Sequence, residues 1–251
     1  MRQGISPNEI VTKFFTLDEL KYYDKFSPEF GSMKFGTLES YRKTEDRMEG
    51  RFDPTDGLAT REIEGAEFSL GPDEVFTVGN LIHLQNCGNV TIGRIEESVY
   101  ANEWVFCAMN CDYSIENHRG ILEPSAGGYA GNAGLIHYAR LDMQEFMRQS
   151  RDAAARLFKT QAEVQCDGVR YEKATEVLPM VYGPQVIETF APSHYDLVFT
   201  KSEIFTPEHE VRFVLRPDRR HSAPLGADPL YLKLAEPEKV ILSTGAIQSN
   251  V

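Results

Sequence analysis

Residues 201–216 read KSEIFTPEHEVRFVLR, and after Pro207 polar and apolar side chains alternate strictly. Successive side chains of an extended strand point to opposite faces, so Glu208, Glu210 and Arg212 fall in one row and His209, Val211, Phe213 and Leu215 in the other. The apolar row predicts a strand set against a core. The charged row places two carboxylates and a guanidinium about 7 Å apart along a rigid element, an arrangement that core packing does not require. Glu208, Glu210 and Arg212 are therefore the candidate catalytic residues. The bland alternative is the solvated face of an edge strand, laced by exposed ion pairs worth under about 1 kcal/mol.

Working outward, residues 10–16 (IVTKFFT) are rich in β-branched and aromatic side chains and predict a first strand. A short helix over 17–26, ended by Ser27-Pro28, and a second strand over 33–37 follow. The acidic stretch after Leu38 predicts a short helix and then a loop broken by Gly50, Pro54 and Gly57. Residues 59–105 read as successive strands separated by glycine turns, the pattern of an antiparallel meander. The continuous apolar run WVFCAM at 104–109 predicts a strand buried on both faces, with Trp104 in the core. Residues 112–134 are glycine-rich and loop-like. A helix is predicted over 142–159, with Asp142 as its cap and Met143, Phe146, Met147, Ala154 and Leu157 on its apolar face. Further strands are expected at 135–139, 166–171, 180–182, 198–201, 230–234 and 240–243. With no linker in view, residues 1–251 are expected to form one α+β domain, mainly antiparallel strands in two packed or strongly bent sheets with a few helices.

The chain carries 38 Asp+Glu against 26 Lys+Arg, a formal net charge of -12. Such a charge repels phosphate backbones and anionic lipid unless cations cluster, and the short run Arg216, Arg219, Arg220, His221 reads as a solvated turn. Non-specific nucleic-acid binding is not expected. No apolar run approaches the roughly 20 residues of a membrane span, and the first ten residues lack an apolar signal core, so a cytoplasmic chain without a membrane segment is expected. Cys87, Cys107, Cys111 and Cys166 read as reduced, buried thiols. The Cys107–Cys111 spacing has no second ligand pair, and no metal is expected there. His83 and His137 read as core histidines; His118 and His194 are freer to act as acid or base, with no partner visible in the sequence.

Lys13-Phe14, Lys34-Phe35-Gly36, Tyr41-Arg42, Glu49-Gly50, Lys201, Phe205 and Glu208-x-Glu210-x-Arg212 together resemble a bacterial and phage family of unknown function. The Glu-x-Glu strand is also similar to the last motif of the ADP-ribosyltransferase superfamily, although the Ser-Thr-Ser motif and first-strand His-Tyr pair of that superfamily are missing. The second resemblance implies NAD as substrate. Glu210 would then stabilise positive charge developing on the ribose. Glu208 would orient the acceptor, and Lys13, Tyr41 and Arg42 would hold the dinucleotide, with Lys13 or Arg42 on the pyrophosphate. The setting implied is a toxin or a phage or bacterial defence protein with a protein target. Two other readings stand beside it. One is a non-catalytic interaction module that recognises its partner through residues 114–134; the other is a metal-dependent nuclease built on the acidic run from Glu45 to Asp56, which reads more simply as a solvated loop.

Overall fold

A computed structural model describes residues 10–43, 56–110, 135–172, 175–178, 183–203, 209–217 and 223–248. The central feature is β9 (Trp104–Asn110), whose alternation sends Phe106 and Ala108 to one face and Val105 and Cys107 to the other. Both sets meet apolar partners, so the unbroken apolar run is a strand covered on two sides, as its composition predicts. Trp104 is only partly buried at the strand's start, where its indole N–H donates to the Asp228 carbonyl.

Among the described residues the sheet has eight strands. Its main path runs β11 (Glu163–Gly168), β16 (Glu210–Arg216), β9, β1 (Ile10–Phe15), β10 (Leu135–Asp142) and β18 (Ile241–Gln248), all antiparallel. One edge of β9 pairs with β16 along its length. The other edge is divided, Met109 and Asn110 pairing with β1 and Trp104 and Val105 with β2 (Ser32–Thr37), which in turn carries β17 (Leu230–Lys233). The sheet therefore forks at β9.

Helices cover both faces beside the fork. On one side lies α2 (Met143–Phe158), capped by Asp142, which accepts from the Glu145 amide at 2.9 Å, and ended by Lys159 in the left-handed region. Its Phe146 packs among Phe35, Phe106 and Phe213. The apolar stripe closes on Phe158, and Leu157, expected on that stripe, is exposed. On the other side α1 (Leu38–Lys43) and α3 (His194–Val198) bring Leu38, Leu197 and Val198 onto Val105 and Val214. A final turn, α4 (Pro237–Val240), precedes β18. The first predicted helix is a 3-10 helix over Leu17–Tyr22.

Residues 58–100 differ from a meander. β3 (Leu58–Ile63) pairs with β8 (Ile95–Tyr100), β4 (Ala66–Ser69) with β7 (Asn89–Ile92), and β5 (Val75–Val78) with β6 (Ile82–Gln85), so the pairs nest and the chain runs out and back as one long arm. The glycines that look like turns interrupt the two legs at matched heights. A Cβ on Gly65 would lie 2.4 Å from the Ile92 carbonyl oxygen and 2.9 Å from the Gly93 backbone across the ladder. Two short strands, β13 (Thr175–Leu178) and β14 (Gln185–Ile187), add in parallel to β3 and β5. A separate parallel pair joins β12 (Arg170–Glu172) to β15 (Thr200–Ser202). The fold class is α+β and sheet-rich, mainly antiparallel as expected. Among the described residues no helix is long and apolar enough to cross a membrane. His83, expected in the core, is exposed on β6, whereas His137 stacks on Phe15. The strand expected at 180–182 and the loop expected over 112–134 lie outside the described residues.

Candidate functional site

β16 lies between β11 and β9, so its polar row is not the solvated face of an edge strand. Val211, Phe213 and Leu215 enter the core beneath α2, and Glu210 and Arg212 point the other way, as the alternation requires. Arg212 is wholly shielded and Glu210 is 7% exposed. Unpaired, each charge would cost several kcal/mol to bury. They are paired in a chain of alternating sign. Lys201 Nζ donates to Glu210 Oε2 at 3.1 Å, and Arg212 Nε donates to Glu210 Oε1 at 2.5 Å. Arg212 Nη1 donates to the Val198 carbonyl at 2.7 Å and lies 2.8 Å from Asp56 Oδ1.

Separate elements supply these groups. The β12–β15 pair holds Tyr171 in register with Lys201, and while Lys201 meets the Glu210 carboxylate, the Tyr171 hydroxyl accepts from the Glu210 amide at 2.7 Å. Asp56 enters from the turn that begins β3; that turn is fixed by Gly57 at φ 69 and by Arg42, whose Nη1 donates to the Asp56 and Ala101 carbonyls at 2.5 and 3.2 Å. Tyr41 packs against the same layer. A Cβ on Gly36 would fall 3.0 Å from the Tyr41 hydroxyl, so the glycine leaves room for the ring beside the sheet.

The two carboxyls flanking Arg212 are tuned in opposite directions. Burial acts most strongly on Glu210 and would raise it, but the Arg212 and Lys201 charges and the Arg212 hydrogen bond together hold it well below the usual carboxylate range. Burial pushes Asp56 up against the pull of Arg212 and Lys201, and repulsion from Glu210 adds to the push. Burial and the Glu210 charge also push the Cys107 thiol up, and burial, with Cys107 and Glu210, raises Tyr41. Cys107 and Tyr41 are therefore neutral neighbours of an ionised Glu210. Burial lowers Arg42.

Two atoms in this cluster stand out. Arg212 Nη2 and Asp56 Oδ1 are shielded from solvent and have no hydrogen bond among the described residues, the Asp56 contact being close but out of line. A donor and an acceptor left over beside each other are together completed by a hydroxyl group, which both accepts and donates.

The structure thus gathers Tyr41, Arg42, Glu210 and Arg212 on one side of the sheet. Lys13 shares its face of β1 with Val11 and Phe15, opposite Ala139, on the α2 side; its Nζ lies 5.0 Å from the Phe106 ring centroid, and its charge acts on the Cys107 thiol from there. Glu208, Glu45 and Glu49 lie outside the described residues. Sequence reasoning missed Asp56 as the counter-charge of Arg212, as well as Tyr171 and Cys107. The Asp56-Gly57 turn was a visible signal for the first; nothing local marks the others. Comparison of the chain with protein-family models, with curated proteins and with solved structures finds no match in any of the three.

Proposed function

We propose that the protein is an ADP-ribosyltransferase-like enzyme that uses NAD as substrate, with Glu210 as the charge-stabilising carboxylate. The observation that carries this reading is the pair of leftover polar atoms on Arg212 and Asp56, which suits a ribose hydroxyl beside an ionised glutamate. In the reaction the bond from ribose C1′ to the nicotinamide nitrogen breaks, and its electron pair leaves with nicotinamide. The acceptor nucleophile bonds to C1′ and gives up its proton. A carboxylate fixed beside the ribose stabilises the positive charge of the transition state more than the ground state. Both oxygens of Glu210 are engaged, by Lys201 and Arg212, so its charge acts on the ribose only when Lys201 withdraws from Oε2. Of the cations expected at the pyrophosphate, Arg42 lies on this side and Lys13 does not. A protein target in the cytoplasm suits this reading.

Titration with NAD tests it directly. NAD at a hundred times its dissociation constant adds about 2.7 kcal/mol of stability, and free nicotinamide accumulates on incubation with acceptor. No shift in melting and no nicotinamide release would end the reading. Asp56→Asn should weaken NAD binding, while Lys13→Ala should leave it unchanged.

A non-catalytic interaction module is the second reading, favoured by the arm, where Leu81 is 67% and Val186 71% exposed beside the turn at Gly79. Large apolar side chains exposed beside one turn suit a protein partner. It predicts that Leu81→Asp with Val186→Asp removes the cellular effect at unchanged thermal stability.

A further inference from the structure

His194, which the sequence leaves without a partner, has one in the fold. Its Nε2 lies 2.5 Å from Oε1 of Glu103, a residue 91 positions away. The same oxygen accepts from Arg216 Nε at 3.2 Å. The Glu103 carboxylate is 1% exposed, whereas the His194 and Arg216 side chains are 40% and 21% exposed. A shielded anion therefore anchors two basic side chains whose outer atoms reach solvent.

The local fold explains the meeting. Glu103 precedes β9 and follows the same alternation as Val105 and Cys107; Arg216 ends β16 on the face of Arg212 and Val214. His194 opens α3 directly above. The apolar rung Val105–Val214 separates this cluster from Cys107 and Arg212. The other polar groups around it are engaged: Asp196 with Arg170 and Ser193, the Tyr195 hydroxyl with Asp167, and the Glu39 carboxylate with the Gly226 amide at 2.5 Å.

We propose that His194, Arg216 and Glu103 form a second site, which binds a phosphate-type oxyanion between the imidazole and the guanidinium. The Nε2–H of His194 donates to Glu103, which leaves Nδ1 of this partly exposed side chain without a hydrogen bond among the described residues. Arg216 spends Nε on Glu103, and among the described residues its terminal nitrogens make no hydrogen bond, so they present a fork suited to an oxyanion. One carboxylate oxygen joins both groups, which holds the imidazole and the guanidinium side by side. A proton on Nδ1 gives an N–H that donates to a phosphate oxygen, and the Glu103 carboxylate offsets the imidazolium charge.

Calorimetric titration of the full chain with inorganic phosphate reads binding. Saturable binding is expected, together with a phosphate-dependent shift of the His194 imidazole nitrogen signals. His194→Gln keeps a donor toward Glu103 and should weaken binding at least tenfold. Arg216→Gln should do the same to affinity. Should that variant unfold because Glu103 loses its cation, His194→Gln and the imidazole signals still decide. Absence of phosphate binding, or binding that His194→Gln leaves intact, overturns the proposal and makes the cluster a packing device. NAD plays no part in this titration, so its outcome is independent of the transferase reading.

Discussion

Two regions of the molecule bury an Arg–Glu pair, and they do so differently. In the arm, Arg61 on β3 stands in register with Glu97 on β8; Nε donates to Oε2 at 2.9 Å, Nη2 to the Glu188 carbonyl at 2.7 Å, and the guanidinium lies 5.1 Å from the Phe190 ring. That pair is cross-strand and local, and neither residue leaves a shielded polar atom unbonded among the described residues. At β16 the charges come from scattered parts of the chain, and Arg212 and Asp56 keep one leftover atom each. A pair whose charges are matched across one ladder and whose shielded polar atoms are all bonded serves the fold. A network assembled from distant segments and left incomplete is where a ligand can act.

The largest effect expected from this difference is on Arg212→Met. It strands Asp56 and leaves Glu210 with Lys201 alone in a shielded layer, so we expect a loss of about 3–5 kcal/mol by chemical denaturation. Arg61→Met removes a locally compensated group beside Phe190 and should cost about 1.5–3 kcal/mol. Equal or reversed losses would break the contrast. Acid dependence sharpens it further. Asp56 has a folded-state pKa above its unfolded value near 3.8, so folding favours its protonated form, and its ionisation costs stability as pH rises through the folded value. Glu210 is the reverse: its contribution is complete above the unfolded value near 4.5 and is lost as pH falls through the depressed folded value. The stability gained by Asp56→Asn relative to the parent should therefore grow with rising pH; a difference that shrinks would remove the opposite tuning of the two carboxyls. The smallest effect lies in the arm's glycines. Gly65→Ala meets backbone across the ladder and should cost about 1–3 kcal/mol. Gly93→Ala meets nothing within 4 Å and should change stability by under about 1 kcal/mol.

What could be read in the chain was local. The alternation of β16 and the capped helix α2 depend on neighbours a few residues away, and both stand in the structure. Whether β16 is an edge or an interior strand depends on which distant strands flank it, and its own residues do not encode that. The arm was misread for the same reason: glycines at regular spacing fit turns between adjacent strands as well as breaks in two nested legs. Asp56 reaches Arg212, Lys201 and Tyr171 reach Glu210, and Glu103 reaches His194, only after the sheet has brought remote segments together. Lys13 and Glu210 are both on central strands, and one step of register decides the face that each presents.

The fork at β9 also sets an order of events. β9 cannot complete its edges until β1 and β2, from one end of the described chain, and β16, from the other, have all arrived. Contacts of such sequence separation form slowly, because loop closure has to precede any gain from pairing. The arm closes from its own turn at Gly79 and needs only neighbours already at hand. During synthesis or refolding the arm therefore takes shape first, and for that interval its apolar tip stands beside a sheet still lacking its last interior strand. Leu81 and the edge of β5 that β14 later covers are then the surface most open to mispairing with another chain.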